Sequence, residues 1–186
     1  NSPLCRKPFG GINANQLRGL AMFLMLLDHL WATLIPGNIW MTYLGRLAFP
    51  IFAFQISEGF SHTSDRNRYA KRLFLFGLIA EVPFDLIYGG TVLYPFHQNV
   101  MFTLLLGLLA CCAIDRARGE RTARATLRGA PSVAGILLLS LLGLVDYACT
   151  GVMTVVPFYL LRDFPFAGFA QFLALILPNI LLFKVK

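Results

Sequence analysis

Along this chain, apolar runs long enough for a helix to cross a bilayer alternate with short polar segments. The runs read as helices at about 17–35, 40–60, 69–88, 99–114, 131–146, 148–162 and 164–183. The pattern predicts an all-α fold, a polytopic transmembrane helix bundle of about seven spans, forming a single integral membrane domain over residues 1–186. Pro36, Gly37 and Asn38 end the first run in a turn, Pro50 and Pro83 fall inside the second and third, and Pro131 opens the fifth. The fifth and sixth runs are short, about 16 residues and so ~24 Å of helix against a ~30 Å hydrocarbon core, which a tilted or partly re-entrant hairpin accommodates.

The runs are not purely apolar, and the exceptions are chemically specific. Asp28 and His29 sit side by side in the first, Arg46 and Glu58 in the second, Glu81 and Asp85 one helical turn apart in the third, and Asn99 and Thr103 in the fourth. A carboxylate or imidazole in hydrocarbon costs several kcal/mol unless a partner meets it. At ~1.5 Å per residue, Asp28 and Glu81 both reach ~17 Å from the end of their spans and Arg46 comes to about the same layer from the opposite side. Asp28 and Arg46 are the natural ion pair, because a guanidinium stays charged when buried and its fork matches a carboxylate. Consecutive helical residues diverge by ~100°, so the partner expected for His29 is Glu81, Asp85 or Asn99 rather than Asp28. Glu58 and His62 form a separate i, i+4 pair near the other end. Ionisable residues converging from three spans point to a functional site rather than to packing alone.

Charge changes the picture in one respect. The net charge of +7 would suggest nucleic acid in a soluble protein, but the basic residues lie in alternate loops of a chain that is 57% hydrophobic. Arg6, Lys7 and Arg18 flank the start of the first run; Arg66, Arg68, Lys71 and Arg72 follow the second; Arg116, Arg118, Arg121, Arg124 and Arg128 follow the fourth. This positive-inside pattern predicts a cytoplasmic N-terminus and cytoplasmic loops at 61–72 and 115–130, with Lys184 and Lys186 as a minor violation. It also accounts for the basic loops without invoking nucleic acid, which is not expected as a partner. Cys5, Cys111, Cys112 and Cys149 show no metal-ligand spacing, and neither a disulfide nor a metal site is expected. The first span is expected to serve as a signal anchor.

The blocks LRGLAMFLMLLDH, GRLAFPIFAFQISEGFSHT, RYAKRLFLFGLIAEVPFD, NVMFTLLLG and DYACTGVMTVVPFYLLR, in that order, resemble the TraX family, membrane proteins of conjugative plasmids associated with N-acetylation of pilin. The resemblance covers about residues 15–162 and falls on Asp28 and His29, Arg46 and Pro50, Glu58 and His62, Glu81, Pro83 and Asp85, Asn99 and Thr103, and Asp146 with Gly151. Ala148 stands where the similar proteins have glycine, and their further Tyr/Phe-Tyr-Pro and His motif is not found here.

The resemblance implies a multi-pass acetyltransferase of the bacterial inner membrane. It would take acetyl from acetyl-CoA and transfer it to the N-terminal amine of pilin, or a related membrane-held acceptor. An α-amine has an ordinary pKa near ~7.7, so a modest base suffices, and His29 is the best-placed candidate. In this scheme Arg46, held by Asp28, stabilises the oxyanion. Glu81 and Asp85, with Asn99 and Thr103, bind the acceptor. Arg66, Arg68, Lys71 and Arg72 take the phosphates of acetyl-CoA, with Glu58 and His62 at the entry. The rival readings are a proton-coupled transporter, since such chains of Asp, Glu and His also make proton relays, and a non-catalytic protein of pilin assembly.

Overall fold

The computed structural model describes residues 12–35, 37–94, 97–119, 123–141 and 147–183, the side chains of 123–130, 141, 148 and 177–183 excepted. Asp146 lies outside them. Eight helices are described: α1 (Ala14–Thr33), α2 (Ile39–Gly45), α3 (Ala48–His62), α4 (Arg66–Tyr88), α5 (Val100–Gly119), α6 (Ala123–Leu141), α7 (Ala148–Leu160) and α8 (Ala167–Phe183). Each apolar run of the sequence is helical over most of its described residues. The chain divides into two compact units, residues 1–55 and 56–186, with the division inside α3.

In the first unit, α1 begins at a reciprocal cap. Asn13 Oδ1 accepts from Gln16 N at 2.8 Å, and Gln16 Oε1 accepts from Asn13 N at 2.9 Å. The second run, expected as one span, is broken into α2 and α3 at Arg46 and Leu47. The physical reason is Pro50. It has no N–H to offer the Arg46 carbonyl, so it is disruptive in a helix interior but harmless in a first turn. The chain ends α2 with a tightened turn, Leu47 N donating to Leu44 O at 3.1 Å, and restarts so that Pro50 falls in the first turn of α3. Gly45 lets α2 lie directly on α1: a Cβ there would stand 2.5 Å from Asp28 Cβ and 3.0 Å from the Asp28 backbone.

The second unit is built around α5, which packs against α4, α6 and α7. Leu104, Leu108, Ala110 and Cys111 of α5 are buried, together with Val152, Val155 and Phe158 of α7 and Phe60 of α3. A Cβ on Gly107 would come within 2.7 Å of Val155 Cγ2, so glycine sets the α5–α7 approach. Asp65 caps α4, accepting from Arg68 N at 2.8 Å, which starts this helix three residues before the expected Tyr69. The expected loop at 115–130 is mostly helix, because α5 runs on to Gly119 and α6 starts at Ala123; Pro131 is therefore inside α6 rather than at its start.

Two stretches, Ile39–His62 and Val100–Gly119, are long and apolar enough to cross a membrane, and shorter apolar helices occupy 131–140, 149–160 and 167–176. α1 and α4 are as long but more polar. α7, with 13 residues, makes ~20 Å of helix. Large apolar side chains stand exposed on α4 (Leu75, Phe76, Ile79) and α8 (Phe169, Phe172, Leu173), a surface suited to hydrocarbon rather than water.

The Gly45 contact gives a direct test of the first unit. Gly45→Ala forces the α1 backbone away and should lower stability by about 1–3 kcal/mol, the usual cost of overpacking. Gly19→Ala, in α1 with nothing within 4 Å of its Cβ, should instead gain ~0.5–1 kcal/mol. Thermal unfolding of the detergent-solubilised variants reads both, and equal midpoints would show that α1 and α2 do not meet as described.

Candidate functional site

The polar residues singled out by the sequence fall into three groups. In the first unit, Asp28 Oδ1 accepts from Thr42 Oγ1 at 2.6 Å. Arg46, which caps the end of α2, is exposed, and no Asp28–Arg46 ion pair occurs among the described residues. The expected pair thus gives way to a hydrogen bond. The close approach at Gly45 presents the inward face of α2 to Asp28, and Thr42 lies on that face three residues earlier. His29 Nδ1 lies 2.8 Å from the Met25 carbonyl. A carbonyl only accepts, so Nδ1 holds a proton and Nε2 has the free lone pair when the ring is neutral.

The second group lies where α4 ends and α5 begins. The Asn99 backbone N–H donates to Glu81 Oε2 at 3.2 Å, and its side-chain amide donates to the same oxygen and, at 2.8 Å, to the Gly77 carbonyl. Asn99 Oδ1 in turn accepts from Met101 N at 2.9 Å and so starts α5. Asp85, 1% exposed, accepts from Tyr94 N at 2.8 Å. Thr103 is fully buried one turn into α5. The four residues expected to act together here are therefore clustered around the α4–α5 junction.

The third group lies at the opposite end of α4, about 22 Å away along the helix from Arg66 to Glu81. Four helices bring it together. Glu58 and His62, one turn apart on α3, approach at 3.4 Å, and Arg162, just past α7, places Nε 3.4 Å from Glu58 Oε1 and Nη2 3.5 Å from His62 Nε2. Beside them, Asp115 of α5 accepts from Arg66 Nη1 at 2.6 Å and from Tyr159 Oη at 2.7 Å. Phe60 joins the two sets: the Arg66 guanidinium lies 4.4 Å over its ring, and Tyr159 meets it edge-on at 5.1 Å. His62 is 69% exposed at its side chain, so it is reachable from solvent. Arg68, Lys71 and Arg72 are exposed on the first turns of α4.

Asp115, Tyr159 and Arg162 were missed by the reading of the sequence. Asp115 was absorbed into the basic cluster that follows it, and Tyr159 into an apolar run. Arg162 had a usable signal, since it is the one cation closing an otherwise apolar run. Chemically, this third group offers an imidazole backed by a carboxylate, a neighbouring guanidinium, and free cations one or two turns away.

Comparison with known proteins adds a family. No solved structure matches the chain. Over 109 residues it is 34% identical to a protein of Dichelobacter nodosus named "Probable fimbrial assembly protein FimC, serogroup H1"; the match takes in 53% of this chain but only 45% of that relative, so the chain spans less than half of the relative's length. The family model described as TraX protein matches residues 13–185. With nearly its whole length matched, this chain belongs to the TraX family.

Proposed function

We propose that this chain is an integral membrane acetyltransferase that takes acetyl from acetyl-CoA to the N-terminal amine of a pilin or fimbrial subunit. In this reading it crosses the bacterial inner membrane several times, with its N-terminus and the Glu58–His62 end of α4 on the cytoplasmic side. The family and the relative's name support the pilus setting, and the apolar helices support the membrane. The observation that supports the chemistry is the trio of Glu58, His62 and Arg162, assembled from α3 and the end of α7 and open to solvent.

Acetyl-CoA, when bound, supplies an acyl carbon activated by a thiolate leaving group. Its phosphates suit Arg68, Lys71 and Arg72, which are exposed, better than Arg66, which is already engaged by Asp115. His62 Nε2 takes the proton that the attacking amine must lose and returns it to the leaving sulfur as the C–N bond forms and the C–S bond breaks. Nε2 cannot both hold that proton and accept from Arg162. On protonation it turns to Glu58 Oε2, and Arg162 is released to donate to the oxygen that gains charge. Distances of 3.4–3.5 Å are long for such bonds, as is usual before substrate tightens a site. This assignment moves the base from His29 to His62, because the Asp28–Arg46 pair expected to stabilise the oxyanion beside His29 is not formed. A second reading, an assembly protein without chemistry, is favoured by the name of the relative alone.

Co-expression with a pilin subunit, followed by mass spectrometry of its N-terminus, decides between these. Acetylation that depends on this chain is expected, with His62→Gln lowering its rate by roughly 10² while His29→Gln changes it little. An unmodified pilin that still assembles only when the chain is present supports the assembly reading. A reversed pattern, loss with His29→Gln and none with His62→Gln, returns the base to the first unit.

The cations separate by role as well. Replacing Arg68, Lys71 and Arg72 together by Ala should raise KM for acetyl-CoA about tenfold, on the order of 0.5 kcal/mol for each exposed contact, with kcat nearly unchanged. Arg66→Gln should lower the thermal midpoint instead, because it strips a partner from Asp115. If the single Arg66 variant matches the triple variant in KM, the phosphates lie at Arg66.

A further inference from the structure

The α4–α5 junction, to which the sequence assigned binding of the acceptor, lies apart from His62 and holds two carboxylates, each with one buried oxygen that no hydrogen bond reaches. Glu81 Oε1 and Asp85 Oδ1 are both shut off from solvent and accept no hydrogen bond, although the other oxygen of each is used. The two side chains lie one turn apart on one face of α4, ~5–6 Å between Cβ atoms. Between Arg72 and Arg116 the sequence contains no Lys or Arg. α7 and the described face of α6, residues 131–140, add none, so the fixed cations of α4 and α5 all lie at the opposite end. His97 is the one group in that interval able to hold positive charge, and it acts electrostatically on Glu81.

Three rings border the same place. His97 stacks on Phe84 at 5.5 Å with the planes 21° apart, Phe84 lies 4.6 Å from Tyr88, and Tyr88 lies 6.1 Å from His97. Unpaired carboxylate oxygens beside aromatic faces form a setting that attracts an organic cation through both hydrogen bonds and the ring quadrupoles.

We propose that the end of α4 is a binding site for a primary ammonium group on an apolar stem, held by Glu81 Oε1 and Asp85 Oδ1 and bordered by Phe84, Tyr88 and His97. The chemistry narrows the ligand. A quaternary ammonium has no N–H and would leave both oxygens unpaired. A metal ion is poorly served, because among the described residues no group of three His, Cys, Asp or Glu side chains is placed to hold one. A phospholipid headgroup would bring a phosphate to an end of α4 and α5 that offers no Lys or Arg among the described residues of those helices and α7. The exposed Val82 and Ile87 of α4 lie to either side of this face and suit an apolar stem. A free alkylamine and the N-terminus of an apolar peptide share this chemistry. The site is about 22 Å along α4 from Arg66, so it stands or falls independently of acetyl transfer at His62.

The test uses the full chain in phosphatidylcholine nanodiscs, with hexylammonium as probe and hexyltrimethylammonium at equal concentration as control. Calorimetric titration and thermal unfolding should both show saturable binding of hexylammonium alone. Glu81→Gln, which keeps an oxygen for Asn99, should weaken it at least tenfold, and Asp85→Asn should abolish it. Tyr88→Leu, at an exposed position, should weaken it several-fold and covers the case in which the carboxylate variants do not fold. An apolar hexapeptide that binds with a free N-terminus but not when N-acetylated assigns the peptide source, and hexylammonium binding without peptide binding assigns the free amine. Equal binding of the two hexyl cations, wild-type affinity in the folded variants, or an effect seen only with phosphatidylethanolamine in the disc would overturn the proposal.

Discussion

The Asp115 carboxylate accepts from Arg66 and Tyr159 at once, and the candidate site of the second unit is organised around that double contact. It ties the start of α4 and the end of α7 to the end of α5, the helix around which the unit packs. The same guanidinium rests on Phe60, which is 1% exposed, so the end of α3 is drawn into the same knot. Arginine suits this role because its flat, weakly hydrated fork can bind a carboxylate at its edge while stacking on a ring with its face. Glu58, His62 and Arg162 inherit their positions from this arrangement. None of them is placed by its own helix alone, since Arg162 meets Glu58 only because α7 ends where α3 ends.

Along α4 the unit is electrically polarised. Its first turns hold Arg66, Arg68, Lys71 and Arg72, and its last turns hold Glu81 and Asp85 with no fixed cation from the flanking sequence. The apolar helices between cannot screen one end from the other with water. Opposite charges at the two ends therefore remain separate chemical environments, one suited to anionic groups and one to cations. At the second, Glu81 and Asp85 also do structural work, since the backbone N–H groups of Asn99 and Tyr94 fold the connection back onto α4. A carboxylate that spends one oxygen on backbone and keeps the other unpaired and buried is costly unless a proton or a cation completes it.

The first unit solves the buried-charge problem differently. Asp28 is met by the Thr42 hydroxyl across the close contact that Gly45 allows, and His29 is fixed by the carbonyl one turn back. Such partners are neutral, so Asp28 is held by a hydrogen bond rather than by a counter-ion. Its expected partner, Arg46, sits at the break before α3, where the chain turns it outward.

Periodicity and composition were enough to mark where most of the described helices lie, because an apolar run of bilayer length has few other ways to satisfy its backbone. They also marked Glu58 with His62, and Glu81, Asp85 and Asn99, because neighbours one turn apart or across a short connection are fixed by local geometry. They failed where local geometry does not reach. The break at Arg46 follows from Pro50 and was visible as a freed carbonyl, but whether the helix kinks or restarts is decided by how closely α2 approaches α1. Thr42 displaced Arg46 as the partner of Asp28 because a depth count fixes height along a helix and not the direction in which a side chain points. Asp115, Tyr159 and Arg162 became a site only in the tertiary structure, since 44 residues separate Asp115 from Tyr159 and 100 separate His62 from Arg162. Contacts over such separations are set by which helix ends pack together, and apolar runs of similar composition leave that choice to the detailed fit of residues such as Gly107 against Val155.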